Sequence, residues 1–151
     1  MSTQSACNRA TASLIVRDVL SHGAASRDRV VVVGSDQIEV VVELAHHGFD
    51  EVACQSAQAG PGLGNETADI IIAPALDRDP SCIAALERFE RALKPNGLLF
   101  LGAGGALSPR LRQIRNFLKQ RGFTFTRAHF DAVDFGVYCC RKTAAAEARA
   151  A

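Results

Sequence analysis

The sequence predicts one three-layer α/β domain with a mostly parallel sheet of about six strands that ends in an antiparallel pair. Three observations carry this prediction. Short apolar runs rich in β-branched residues, Val30 to Val33 and Asp69 to Ala73 among them, read as strands buried on both faces. Stretches with apolar residues at helical spacing alternate with these runs, and each ends at a glycine or a turn. The chain of 151 residues is 48% hydrophobic and 22% charged, a globular balance that can bury a core without metal or disulfide.

In chain order, the small polar residues 1–9 predict a disordered N-terminus, the domain spans 10–142, and 143–151 is an Ala-rich tail. Ala10 to His22 carries Leu14, Ile15, Val19 and Leu20 on one stripe and stops at Gly23. After the strand Val30 to Val33 and Gly34 comes a helix with Asp36 and Glu39 as a capping pair. Its stripe is Ile38, Val41, Val42 and Ala45, and Gly48 is its stop. Glu51 to Gln55 is a short strand, and Ser56 to Thr67, with Gly60, Pro61, Gly62 and Gly64, is a loop. Asp69 to Ala73 is the next strand. Asp79 and Pro80 start a helix with the stripe Ile83, Leu86, Phe89 and Leu93, and Lys94 to Gly97 turns out of it. Leu98 to Leu101 is a strand, followed by Gly102, Ala103, Gly104 and Gly105 and by a helix from Pro109 to Arg121. Phe123 to Phe130 and Phe135 to Arg141 are strands joined by a turn at Asp131 to Asp134, hence antiparallel.

Composition excludes several function classes. With 17 Lys and Arg against 16 Asp and Glu, the net charge of +1 creates no field for a polyanion, so nucleic acid is not an expected partner. No apolar run approaches the ~20 residues that span a bilayer. Met1 to Ala12 lacks the basic flank and apolar block of a secretion signal and neither end has a lipidation motif, so a cytoplasmic location is expected by elimination. The five cysteines, Cys7, Cys54, Cys82, Cys139 and Cys140, show no CxxC spacing and are expected to be buried structural thiols. Cys139 and Cys140 are strand neighbours, so they point to opposite faces and cannot share one metal. His46 and His47 diverge by ~100° on a helix and have no partner at i+4, so no metal site is expected.

Three segments together resemble the class I S-adenosylmethionine-dependent methyltransferases, a Rossmann-like family, over about Ala10 to Lys142. The first is the unit of strand, Gly34, helix, Gly48, Phe49 and strand. The second is Ala68 to Pro74, similar to the family's acidic residue followed by an apolar strand, with Asp69 in the acidic place. The third is Leu86 to Leu101, LERFERALKPNGLLFL, similar to the family's helix, Leu-Lys-Pro-Gly-Gly turn and strand. The resemblance implies cofactor contacts at Gly34, Ser35, Asp36, Gln55 and Pro74. It also implies an acidic residue two before the first glycine, a GxGxG run and an acid that holds the ribose. Here Val32 stands in the acidic place, Asp36 and Ile38 stand in the second and third glycine places, and Gln55 replaces the ribose acid. Side chains at the glycine places fill part of the pocket.

Only Ser56 to Ala68 separate the second strand from the next, whereas a further strand with its crossover needs about 30 residues. The family's third strand is therefore absent and Glu51 to Gln55 becomes an edge. Val31, Val33 and Ile71 are expected to be left accessible, which predicts a homodimer through an isologous contact or a cover by the Gly-rich loop.

Two other features have weaker functional readings. Gly102 to Leu107 is half of a dinucleotide-type GxGxxG pattern, which gives a small nucleotide-binding module as one alternative. The helix bearing Arg110, Arg112, Arg115, Lys119 and Arg121 reads as a solvated face or as a docking surface for an acidic partner. The sequence as a whole predicts a degenerate methyltransferase-like protein acting as a binding or partner subunit. No cofactor is expected, S-adenosylmethionine being the one that the resemblance admits. An active methyltransferase with an atypical pocket is the other alternative.

Overall fold

A run of valines, β1 (Val30–Val33), is buried along its whole length, and the rest of the fold is arranged about it. The computed structural model describes residues 3–34, 37–55, 64–76, 80–104, 109–130 and 135–143. The other elements are α1 (Thr3–Ser21), α2 (Gln37–His46), β2 (Val52–Gln55), β3 (Ala68–Ala73), α3 (Cys82–Ala92), β4 (Leu93–Gly104), α4 (Pro109–Gln120), β5 (Phe123–Phe130) and β6 (Phe135–Lys142). They build one sheet in the order β2-β1-β3-β4-β6-β5. The pairs β1–β2, β1–β3 and β3–β4 are parallel, and β4–β6 and β5–β6 are antiparallel. The expected mostly parallel sheet with a C-terminal antiparallel pair is the one observed. Among the described residues no helix is long and apolar enough to cross a membrane.

Strand alternation divides the core into two layers. Val30, Val32, Ile70, Ile72, Phe100 and Cys139 face α1 and α2. Val31, Val33, Ile71, Leu99, Tyr138 and Cys140 face α3 and α4. Cys139 and Cys140 thus lie on opposite faces of β6, as two strand neighbours must. Val31, Val33 and Ile71, expected to be accessible, are buried instead, because Ala85, Leu86 and Phe89 of α3 pack in the same cluster.

Several element boundaries differ from the sequence reading. The first helix begins at Thr3 rather than Ala10: no Gly or Pro interrupts Thr3 to Ser21, and Ala6 and Ala10 favour helix. On α2 the buried positions are Val40 and Leu44, whereas Ile38 is 74% and Val42 45% exposed and Ala45 is exposed as well. Ile38, Val40, Val41, Val42, Leu44 and Ala45 make this helix apolar nearly all round, so its periodicity offers two competing stripes. α3 begins at Cys82, after Ser81, and Leu93 opens β4 instead of closing the helix. Lys94 to Gly97 forms an irregularity within β4, since Ala68 pairs with Leu93 and Ile70 with Leu98. Gly97 is required there: a Cβ would come within 2.8 Å of the Lys94 carbonyl oxygen. Cys54, expected to be buried, is exposed on the edge strand β2. Asp79, Asp131 to Asp134, and Ser56 to Leu63 of the expected loop lie outside the described residues.

At the end where the parallel strands begin, Asp69 ties three strands together. Its Oδ2 accepts the backbone N–H of Arg29 at 2.8 Å, and its Oδ1 accepts Lys94 Nζ at 3.1 Å. Lys142 reaches from the end of β6 to the carbonyls of Glu90 and Leu93, the latter at 2.8 Å, and so satisfies the C-terminus of α3.

Candidate functional site

In an open parallel sheet the ligand crevice lies outside the carboxyl ends of the strands, where the connections leave on opposite faces. That point is between β1 and β3. From β1 the chain passes through α2 on one face to β2, and from β3 it passes through α3 on the other face to β4. The register aligns the strand ends, since Val33 pairs with Gln55 and Val32 with Ile72. Gly34, Gln55 and Pro74 follow or close these three strands and converge on the crevice. Of the expected site residues, Ser35 and Asp36 lie outside the described residues.

Gly34 has φ 114°, and its N–H donates to the Gln55 carbonyl at 3.0 Å. Among the described residues a Cβ added there would meet nothing within 4 Å, which leaves the backbone open to close approach. Gln55 is half-buried and Pro74 is buried. Val32, in the place of the family's acid, is fully buried on the α1 and α2 face. Ile38, in the third glycine place, stands out from the first turn of α2 into solvent. It is 74% exposed.

These residues fit S-adenosylmethionine only in part. Gly34, where the resemblance puts the cofactor's methionine portion, carries no side chain of its own. The position expected to answer the ammonium is the apolar Val32, and the position expected to bind both ribose hydroxyls carries a neutral amide. An amide oxygen still accepts a hydrogen bond, but without the charge that roughly doubles the strength of a carboxylate's.

The Gly102 to Gly105 cluster has a different structural role from a phosphate loop. Gly102 and Gly104 continue β4 and pair with Val137 and Phe135 of β6, so this part of the run belongs to the sheet. Gly105 lies outside the described residues. At the opposite end of the sheet an open pocket of about 470 Å³ is lined by Asn65, Glu66, Glu90, Arg91 and Lys142. Lys142 there is committed to backbone carbonyls and Glu90 lies 3.4 Å from Arg121, which leaves a charge-balanced depression away from the crevice. Among the described residues no group of three or more His, Cys, Asp or Glu could hold a metal.

No family model and no curated protein matches the sequence. Solved structures do match. The magnesium protoporphyrin IX methyltransferase ChlM from Synechocystis PCC 6803, with bound SAM, aligns at TM-score 0.69 and 15% identity, over 89% of this chain and 79% of that one. The [4+2]-cyclase SpnF aligns at TM-score 0.61 and 16% identity, over 95% and 83% of the two chains. The CurJ carbon methyltransferase aligns at TM-score 0.59 and 13% identity over 89% of this chain, which spans only 54% of CurJ. Identities this low bear on architecture alone, and together with the strand order they show that this chain has the class I methyltransferase-like Rossmann fold, with six strands among the described residues.

Proposed function

We propose that this chain is a methyltransferase-like protein that does not transfer methyl groups and serves as a binding or partner subunit. One observation carries the reading: the strands follow the family's order from β1 to β6, while the places that the resemblance gives to the cofactor's acid, third glycine and ribose contact carry Val32, Ile38 and Gln55. A fold of this kind does not fix the chemistry, since SpnF is a [4+2]-cyclase. The odd number of cysteines without CxxC spacing suits a reducing, cytoplasmic compartment.

A second reading, an active methyltransferase with an atypical pocket, draws support from the open approach at Gly34 and from ChlM, whose structure holds SAM. Calorimetric titration of the full chain with S-adenosylmethionine separates the two. The first reading expects no binding tighter than about 1 mM, equivalent to about 4 kcal/mol. A Kd of about 1 μM, about 8 kcal/mol, would overturn it and put the second reading first.

A further inference from the structure

The segments that form the two ends of the sheet carry opposite charge, with Arg27 and Arg29 just before β1 lying beside Asp50 and Glu51 as the exception. From Val30 to Asn65, which includes β1, α2 and β2, the sequence has Asp36, Glu39, Glu43, Asp50 and Glu51 and no Lys or Arg. From Pro109 to Phe130, which is α4 and β5, it has Arg110, Arg112, Arg115, Lys119, Arg121 and Arg127 and no Asp or Glu. The net charge of +1 conceals this separation, because β2 and β5 are the two ends of the strand order. Asp50 and Glu51 are exposed at one end, and Arg112, Arg115 and Lys119 at the other.

Both ends are also sheet edges among the described residues: β2 pairs with β1 alone, and β5 with β6 alone. Val52–Gln55 contains none of the charges, prolines or bulges that normally guard an edge. β2 is parallel to β1, β3 and β4, while β6 opposes β4 and β5 opposes β6, so β5 and β2 run in the same direction. A second copy displaced along the sheet therefore offers its β5 to the first copy's β2 as a parallel neighbour. α2 covers one face near β2 and α4 covers the other face near β5, so the helical layers overlap at the joint without competing for the same space.

We infer that copies of this chain associate head to tail, the acidic β2 and α2 end of one docking on the basic α4 and β5 end of the next. A two-fold contact through β2 is the simpler remedy for an open edge. It would, however, place Glu39, Glu43, Asp50 and Glu51 against their own copies, and like-charge juxtaposition works against it. The head-to-tail contact sets the carboxylates against guanidinium groups and gives the exposed Ile38 and Val42 a protein surface to face. Such a contact is heterologous, so assembly proceeds by steps and does not stop at a dimer.

Sedimentation of the full chain tests this at salt concentrations of about 0.01 M and about 1 M, where the screening lengths are about 30 Å and about 3 Å. At low salt the average mass should rise progressively with protein concentration above 16.1 kDa, and at high salt it should fall back to the monomer. Two charge-reversed variants give the stricter test, one with Glu39→Lys and Glu43→Lys, the other with Arg112→Glu and Lys119→Glu. Each alone should associate at least about tenfold more weakly than the natural chain, a change of about 1.4 kcal/mol. An equimolar mixture of the two should associate again, because native acidic and basic ends then meet. A strict monomer at low salt, association indifferent to salt, undiminished association of either variant alone, or a mixture that stays monomeric would each overturn the inference.

Discussion

Replacing Asp69 by Asn keeps the side chain's shape and one acceptor while it removes the charge. In the native protein the carboxylate receives the Arg29 N–H at 2.8 Å and Lys94 Nζ at 3.1 Å, and thereby joins the start of β3 to the segments before β1 and within β4. Burial works against the ionised form, but the Arg29 N–H and the Lys94 ammonium outweigh it and hold the carboxyl below its ordinary value of 3.8. Hydrogen bonds to a charged group contribute about 1.5–3 kcal/mol where shielded, and exposed ion pairs about 0.2–1 kcal/mol. The side chains of Asp69 and Lys94 are 32% and 46% exposed, so solvent screening selects the lower part of these ranges. Asp69→Asn is expected to cost about 1–2 kcal/mol, or about 2–8 °C in Tm for a domain of this size. The sign of the pH dependence follows from the lowered folded pKa: the contribution is complete above the unfolded pKa and is lost as pH falls through the folded one. The difference between Asp69→Asn and the natural chain should be constant from about pH 5 to 8 and close below about pH 4. Urea unfolding of Asp69→Asn, Lys94→Met and the double variant at both pH values measures this. Lys94→Met should cost less, because the Arg29 bond survives. A gap that widens on acidification, or a Lys94→Met cost equal to that of Asp69→Asn, would refute the reasoning.

Two further outcomes follow from the geometry of β1 and β2. In a Cys7→Ser background, Cys54 should react with a thiol reagent in the native state, while Cys82, Cys139 and Cys140 wait for unfolding; burial pushes the Cys140 thiol well above its ordinary range. Mass spectrometry that found a second rapid label would contradict this. Gly34→Ala should cost about 1–3 kcal/mol from backbone strain, since φ is 114° and the new Cβ meets no atom of the described residues within 4 Å. A urea midpoint that does not move, or a loss as large as that of a core truncation, would show that this account of Gly34 is wrong.

Local sequence determined which segments are strands and which are helices. A valine run such as Val30–Val33 has little choice, because β-branched residues without a polar alternate fit a strand covered on both faces. The order β2-β1-β3 was legible through the family resemblance, whose usual sheet order makes β2 an edge once Ser56 to Ala68 are too few to supply another strand and helix. For the same reason Gly34, Gln55 and Pro74 could be placed together before any contact was known: each stands at the end of a strand in a parallel sheet. Tertiary structure alone decided which stripe of α2 is buried. Val40 and Leu44 meet α1 and the sheet, whereas Ile38 and Val42 are no less apolar and meet solvent. It also decided that α3 covers Val31, Val33 and Ile71, that Cys54 is exposed, and that Asp69 serves as a structural tie away from the crevice. Periodicity reports the conformation of a segment, because that depends on neighbours a few residues away. The surface that a segment meets is supplied by residues far along the chain, and no local pattern contains it.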